Sequence, residues 1–519
     1  MRSKILKRFR VIFSALILIC FILIFIDFKS LIPANYTNIL LYLQFIPSVI
    51  KYFDLKTIAG MGFIVVLLLT LLSGRSYCSF LCPLGIGQDL FSRIGGLFKK
   101  RFRRFGFKKP FTILRYFLMA ATLVVALVWG IYMLTLLDPY SIFGRFMTYF
   151  ARPCVLILNN FLAGILGKFD IYSLSNVPIK KFTLLVYAIP AAFLILIGTL
   201  SFTKGRLYCN MICPVGTLLG LLSKISIFRI KINETNCTRC GRCALRCKSS
   251  CIDFLKYGVD ISRCVVCFNC INACQDKTVS YGVVRLKKKV HETDESKRKV
   301  IAGTIMLLFG LSGVAGGQDK KAPKPKKDST VKENRTYPVC PPGGLGIADF
   351  NRDCTACALC ISACPNSVLQ PSFKQYGITG IMQPVMDYHK SFCTYNCIIC
   401  TQICPTSALH PLVLEAKKLT QIGIAKFIKD NCIVKTEKTA CGACSESCPT
   451  KAVHMIPYEG NLVIPEVTEE ICIGCGHCEF ACPTVPFKAI FVDGNPVHKA
   501  AKKPVNEESK IKTPVEFPF

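Results

Sequence analysis

Thirty-two of the 519 residues are cysteine, and most stand in short runs of the form C-x2-C-x2-C-x3-C. Such a run puts four thiolates around one small volume, as a cuboidal iron–sulfur cluster requires. Zinc sites use two separated pairs, often with histidine. Disulfide scaffolds this rich in cysteine belong to short secreted chains. The runs therefore read as [4Fe–4S] ligands. Cys237, Cys240, Cys243 and Cys247 form one, and Cys264, Cys267, Cys270 and Cys274 another. In two-cluster ferredoxins the fourth cysteine of each run ligates the other cluster. The expected sets are thus Cys237, Cys240, Cys243 with Cys274, and Cys264, Cys267, Cys270 with Cys247. Neither run ends in Cys-Pro, Lys248 and Gln275 following instead, and Cys251 is an alternative to Cys247.

Four further runs lie near the C-terminus: Cys354, Cys357, Cys360, Cys364; Cys393, Cys397, Cys400, Cys404; Cys432, Cys441, Cys444, Cys448; and Cys472, Cys475, Cys478, Cys482. All four end in Cys-Pro, which fixes φ and stops the ligand loop. Short β-rich pieces follow the runs ("SALHPLVL", "KAVHMIPY", "KAIFV"), the strand, loop and helix pattern of an α+β ferredoxin fold. Spacing does not say which runs exchange their fourth cysteine. The 24 cysteines suffice for six clusters.

Four of the remaining cysteines sit in a repeat. "GRSYCSFLCPLG" at 74–85 matches "GRLYCNMICPVG" at 205–216. Cys78, Cys82, Cys209 and Cys213 could therefore converge across a pseudo-two-fold axis, where repeats of this kind place their functional site. They read as a metal or cluster site, as a redox-active dithiol, or as a repeated helix-ending turn without chemistry. Arg75 and Arg206 could neutralise thiolates or a quinone oxygen, or could snorkel to the membrane edge. Cys20 reads as a small apolar side chain, and Cys154 and Cys340 as ordinary thiols.

The elements that position these groups are membrane helices. Residues 11–26 are almost wholly apolar behind the basic "MRSKILKRFR", and further apolar stretches occupy about 55–73, 112–137 and 182–200. Segment 93–110 holds eight Lys/Arg and no acid, whereas 27–54 balances two lysines against two aspartates. The positive-inside bias then runs the four core helices outward, inward, outward and inward, with both C-x3-C-P pairs at the cytoplasmic face. A fifth apolar run, 300–317, lies within the basic linker 285–336 and precedes the Pro/Lys-rich "QDKKAPKPKKDSTVKENR". The expected order is a four-helix membrane domain (1–231), a two-cluster domain (232–284), the linker, a four-cluster domain (337–500) and a polar tail (501–519).

Several classes fall away. No histidine precedes His291, and neither C-x2-C-H nor a strand-borne G-x-G-x-x-G occurs. Haem, nicotinamide and flavin sites are not expected. The formal charge of +34 falls to about +22 once six clusters of roughly −2 are counted. The basic runs lack a nucleic-acid recognition fold.

Residues 1–284 resemble the NapH-type membrane ferredoxins in their four helices, the doubled "GRxYCxxxCP[LV]G" and the two-cluster tail. Residues 337–500 resemble NapG-type four-cluster subunits, so that the two parts look fused. The resemblance implies a quinol dehydrogenase component that passes electrons between the quinone pool and a partner oxidoreductase or cytochrome, in the bacterial inner membrane. Copper-handling and maturation relatives share the membrane half. Metal reduction and redox sensing by a scaffold are the rival readings. Segment 296–317 resembles a twin-arginine export signal with Lys-Arg for Arg-Arg, which implies a periplasmic 337–500 and a cytoplasmic 232–284. A bilayer core of about 30 Å would then separate two sets of clusters, with only Cys20 or the quinone itself between them.

Overall fold

The computed structural model describes residues 2–27, 31–98, 105–128, 132–180, 182–283 and 331–503. The expected fifth span and export-like segment at 300–317 lie outside the described residues, as do most of the linker and of the polar tail.

Among the described residues thirteen α-helices form the N-terminal part: α1 (Arg2–Ile26), α2 (Ala34–Tyr42), α3 (Phe45–Leu55), α4 (Gly62–Ser73), α5 (Tyr77–Phe80), α6 (Pro83–Phe98), α7 (Thr112–Val128), α8 (Tyr132–Leu137), α9 (Pro139–Phe146), α10 (Arg152–Gly167), α11 (Leu184–Lys204), α12 (Leu207–Met211) and α13 (Pro214–Ser223). Among the described residues three helical stretches are long and apolar enough to cross a membrane: Ile5–Ile26, Pro139–Gly167 and Leu184–Lys204. The first and third match the expectation. The stretch 55–73 instead yields the 12-residue α4, and 112–137 divides into α7 and α8. Segment 27–54, expected as a connection, carries α2 and α3.

Pro139–Gly167 escapes a hydropathy reading because Arg145 and Arg152 interrupt it. Both are buried and donate to carbonyls, Arg145 to Ser141 and Thr135, and Arg152 to Phe25 at 3.5 Å. Asp138 caps α9 by accepting from Ser141 N at 2.8 Å, with Pro139 as first residue, a standard helix start. A π-turn at Met147–Ala151 carries α9 into α10. Gly74 and Gly205, at φ +78° and +72°, end α4 and α11 where the two repeats begin.

Each ferredoxin part is built on two-stranded antiparallel ladders. In the first, β1 (Phe228–Ile232) pairs with β4 (Val279–Val283), Phe228 opposite Val283, and β2 (Ile252–Asp253) pairs with β3 (Gly258–Val259). In the second, β5 (Leu369–Pro371) pairs with β6 (Pro384–Met386), β7 (Thr420–Phe427) with β10 (Ile490–Ala500), and β8 (Val453–Pro457) with β9 (Val463–Val467). The chain is thus helical with α+β ferredoxin domains.

The two ferredoxin parts dock at opposite ends of α1. Near its start Arg10 pairs with Asp89, which also takes Arg206 at 2.9 Å and Lys248 at 3.3 Å. Near its end Phe21 and Phe25 pack with Tyr140, Phe143, Cys357 and Leu359. Arg10 and Phe25 lie about 22 Å apart along a regular helix.

Candidate functional site

Four cavities are lined by thiols. One takes Cys354, Cys357, Cys360 and Cys404, and another Cys364, Cys393, Cys397 and Cys400. A third takes Cys432, Cys441, Cys444 and Cys482. The fourth takes Cys247, Cys251, Cys264, Cys267 and Cys270. In every case three cysteines of one run meet the fourth of another. The first and second C-terminal runs therefore exchange, and the third gives its cavity to the last cysteine of the fourth. Cys448 correspondingly lies close to Cys472, Cys475 and Cys478, as Cys237 and Cys274 do to Cys243. Cys432, separated from the rest of its run by eight residues, is brought into place by β7 and the turn Lys429–Asn431. The Cys247 and Cys251 sulfurs are 3.4 Å apart in one cavity, so both candidates for that position are at hand.

The backbone of the loops fits an anionic guest. In four runs the residues two and four after the first cysteine both have positive φ: Arg239 and Gly241, Val266 and Phe268, Ala356 and Ala358, Gly474 and Gly476. Successive turns of this kind aim N–H groups into a concavity, an anion nest. For a β-branched Val266 the conformation is strained, and such strain persists where the surroundings over-determine it. Among the described residues the two runs with altered spacing, from Cys393 and Cys432, lack this pair. Nothing in the cysteine spacing announces the nests.

The repeat cysteines do converge. Cys78, Cys82, Cys209 and Cys213 share one core with Tyr77, Tyr208 and Val265, and each is at most 4% exposed. The symmetry is reciprocal. Arg75 donates to Cys209 O at 2.9 Å, and Arg206 to Cys78 O at 2.5 Å. Gly85 N donates to Cys82 Sγ at 3.4 Å and Gly216 N to Cys213 Sγ at 3.3 Å. A Cβ on Gly85 would stand 2.3 Å from Cys78 O, and one on Gly216 2.2 Å from Cys209 O, so the repeat needs glycine at both places. Neither arginine snorkels: Arg75 is fully buried and Arg206 is 1% exposed.

Cys20 is half-buried on α1 and Cys154 is exposed; Cys340 is buried beside Phe350 and Tyr376. Glu333, His389 and Glu479 bring three ligand atoms within 4.8 Å of one another. Arg335 already pairs with both carboxylates, so the group is an ion-pair network that fastens residues 331–337 to the second ferredoxin part.

A cavity of about 110 Å³ opens between the membrane part and the first ferredoxin part. Lys108, Lys109, Arg115, Lys204, Lys248 and Arg263 line it together with Phe105, and among the described residues no acid does. Ser249 Oγ and Arg263 Nη2, both buried on its wall, have no partner. Sequence reasoning missed this site, because its cations read only as membrane-orienting charge.

Comparison with known proteins agrees with the thiol chemistry. A family model described as a 4Fe–4S binding domain matches residues 56–104 and 185–233, one C-x3-C-P pair in each. A 4Fe–4S dicluster domain matches 439–485. An uncharacterized protein of Methanocaldococcus jannaschii is 25% identical over 254 residues, 46% of this chain and 87% of its own. The ferredoxin-type protein NapH of Escherichia coli is 25% identical over 42% of this chain and 66% of its own length. The methylamine utilization ferredoxin-type protein MauM of Methylophilus methylotrophus is 34% identical over 28% and 57%. No solved structure matches. Apolar helices, 4Fe–4S domains and ferredoxin-type homologues together describe an iron–sulfur electron-transfer protein.

Proposed function

We propose that this chain is a multi-pass inner-membrane polyferredoxin that carries electrons between the quinone pool and a partner oxidoreductase, with 232–284 cytoplasmic and 337–500 periplasmic. The observation that carries the reading is the docking of the two ferredoxin parts at the two ends of α1, whose N-terminal flank is the basic one. Six thiol sets, two in the first part and four in the second, hold the clusters, each of which supplies one-electron transfer. The chain's own residues hold them, exclude water and set their spacing.

The cation-lined cavity is the proposed headgroup site. Ser249 and Arg263 have free donors for quinone carbonyl oxygens, and Lys248 stands next to Cys247. Its cations stabilise the anionic forms of a reduced quinone. This is the quinol dehydrogenase component that the resemblance to NapH and NapG implies, fused in one chain.

Topology decides the reading. Reporter fusions after residues 283 and 503 should report opposite sides of the membrane; the same side for both would end it. In proteoliposomes with menaquinol or ubiquinol, Ser249→Ala with Arg263→Gln should slow cluster reduction at least tenfold. An unchanged rate would remove the cavity from the proposal.

A further inference from the structure

Two of the four C-terminal runs lack the anion nest, and lysines hold their ligand loops instead. Lys417, 3% exposed on the short helix Leu414–Lys418, donates to Thr394 O at 2.6 Å and Tyr395 O at 3.0 Å. Both carbonyls lie between Cys393 and Cys397, a gap one residue longer than usual. Lys180, in the connection between α10 and α11, donates to Ile361 O at 2.6 Å and Cys364 O at 2.9 Å. Cys364, Cys393, Cys397 and Cys400 line one cavity, so both lysines serve the same thiol set. The other run without a nest has a parallel. Lys488 donates to Cys482 O, and Cys482 completes the set of Cys432, Cys441 and Cys444. Among the described residues no lysine side chain bonds Cys404 O or Cys448 O, the matching carbonyls of the two sets whose runs keep the nest.

The charge of these lysines is not met by acids. Among the described residues neither Lys417 nor Lys180 has a carboxylate partner, whereas Lys418, nearer to solvent, pairs with Glu415 at 2.9 Å. A buried cation without a counter-charge is strongly disfavoured. Lys417 stands beside Cys393 and Cys400, and Lys180 beside Cys364 and Cys360. The counter-charge is therefore on the sulfur side. Capping of a helix end would account for Lys180 alone, since Ile361 belongs to the short helix Leu359–Ala363. It does not account for Lys417, whose acceptors precede the helix Ile399–Gln402.

We propose that Lys417 and Lys180 are positioning residues that replace the missing nest with side-chain charge, making the centre held by Cys364, Cys393, Cys397 and Cys400 the most readily reduced of the four in the second ferredoxin part. This rests on the reading of the thiol sets as cluster ligands. Net charge and hydrogen bonding set the potential of such a centre. Reduction adds one negative charge, and a cation close by in a low-dielectric interior favours it. One electron arrives and one later leaves; no bond is made or broken, and the lysines keep their protons. Lys180 belongs to the membrane part, so docking of the second part and the potential of this centre are coupled.

The test is a redox titration at pH 7 followed by electron paramagnetic resonance, on the full chain purified anaerobically in detergent. Lys417→Gln offers an amide donor but no charge. It should keep all iron and sulfide and shift the reduction equilibrium of one centre by about tenfold toward the oxidised form, 59 mV for a one-electron couple. Lys180→Met should shift the same centre, and Lys417→Arg should leave it in place. The centre that moves should be the first of the second part to be reduced in the unaltered protein. No shift in either neutral variant, a shift spread over several centres, or a shift confined to a centre reduced later would overturn the proposal. If Lys417→Gln fails to accumulate, Lys180→Met decides by the same criteria. Cys393→Ser tests the cluster reading separately: unchanged iron there would end that reading, so the two failures are distinguishable.

Discussion

The two ferredoxin parts are held to the same membrane domain by opposite chemistries. The first is gripped by charge: Asp89 with Arg10, Arg206 and Lys248, Arg115 on Ser262 Oγ at 3.1 Å, and Arg263 on Lys108 O at 2.8 Å. The second rests on aromatic packing from Phe21, Phe25, Tyr140 and Phe143. Its polar contacts reach mainly backbone carbonyls, Lys180 to Ile361 O at 2.6 Å and Thr148 to Ala358 O at 3.3 Å. The first therefore depends chiefly on ionisation, and the second chiefly on shape, with a single ion pair among the described residues, His410 to Asp54 at 3.4 Å, beside it. Their ligand loops differ too, since Cys-Pro closes every run of the second part and none of the first.

The largest expected difference concerns the fourth ligand. Cys404→Ser in the second part removes a thiol for which its cavity has no substitute, so one cluster should be lost outright. Cys247→Ser leaves Cys251 in the same cavity, and iron content should hold. Iron and sulfide assays on these variants and on Cys247→Ser with Cys251→Ser check the contrast. Only the double variant should fall to the level of Cys404→Ser.

Next comes the carboxylate. Burial by itself would push Asp89 up, but Arg206, Lys248 and Arg10 hold it well below the usual range. Asp89→Asn leaves three buried cations without it, a loss of about 3–5 kcal/mol. Hydrogen exchange should show lost protection across 228–283 and none across 337–500. A uniform loss would erase the distinction between the two docking modes.

The same comparison has a pH signature. Asp89 stabilises docking fully above the ordinary carboxylate pKa of about 3.9, and the contribution drains away as pH falls toward its depressed value. Lys180 works at the other end. Burial lowers it to about 8, so between there and about 10.4 the unfolded chain binds more protons and stability rises with pH. Protection of 228–283 should therefore fail first in acid, and protection of the 359–364 loop should improve on going from pH 8 to 10. The reverse pattern would sink the assignment of the two modes.

How far this was legible in the sequence follows from the range of the interactions. The cluster cysteines are local in spacing and could be read directly, as could the doubled C-x3-C-P pair. The exchange between Cys364 and Cys404 could not, because two loops 40 residues apart must fold before the partners are neighbours. Spans were legible where apolar residues were unbroken, as in α1 and α11. They were not where buried arginines satisfied by carbonyls lowered the hydropathy, as at Arg145 and Arg152. Asp89 gave no signal at all, since its three cations come from α1, the second repeat and the first ferredoxin part.

The smallest expected effect probes the packed side of the comparison. Gly144 lies within α9, where alanine would ordinarily gain up to about 1 kcal/mol of helix propensity. Here a Cβ would stand 2.4 Å from Cys357 O and 2.9 Å from the Phe25 ring. A backbone atom of a ligand loop cannot yield cheaply, so overpacking of about 1–3 kcal/mol should outweigh the gain. Gly144→Ala should thus weaken protection of the 354–364 loop modestly and leave 228–283 untouched. A stabilised variant would mean that the second part does not press on α9, and the contrast between a charged and a close-packed interface would have to be redrawn.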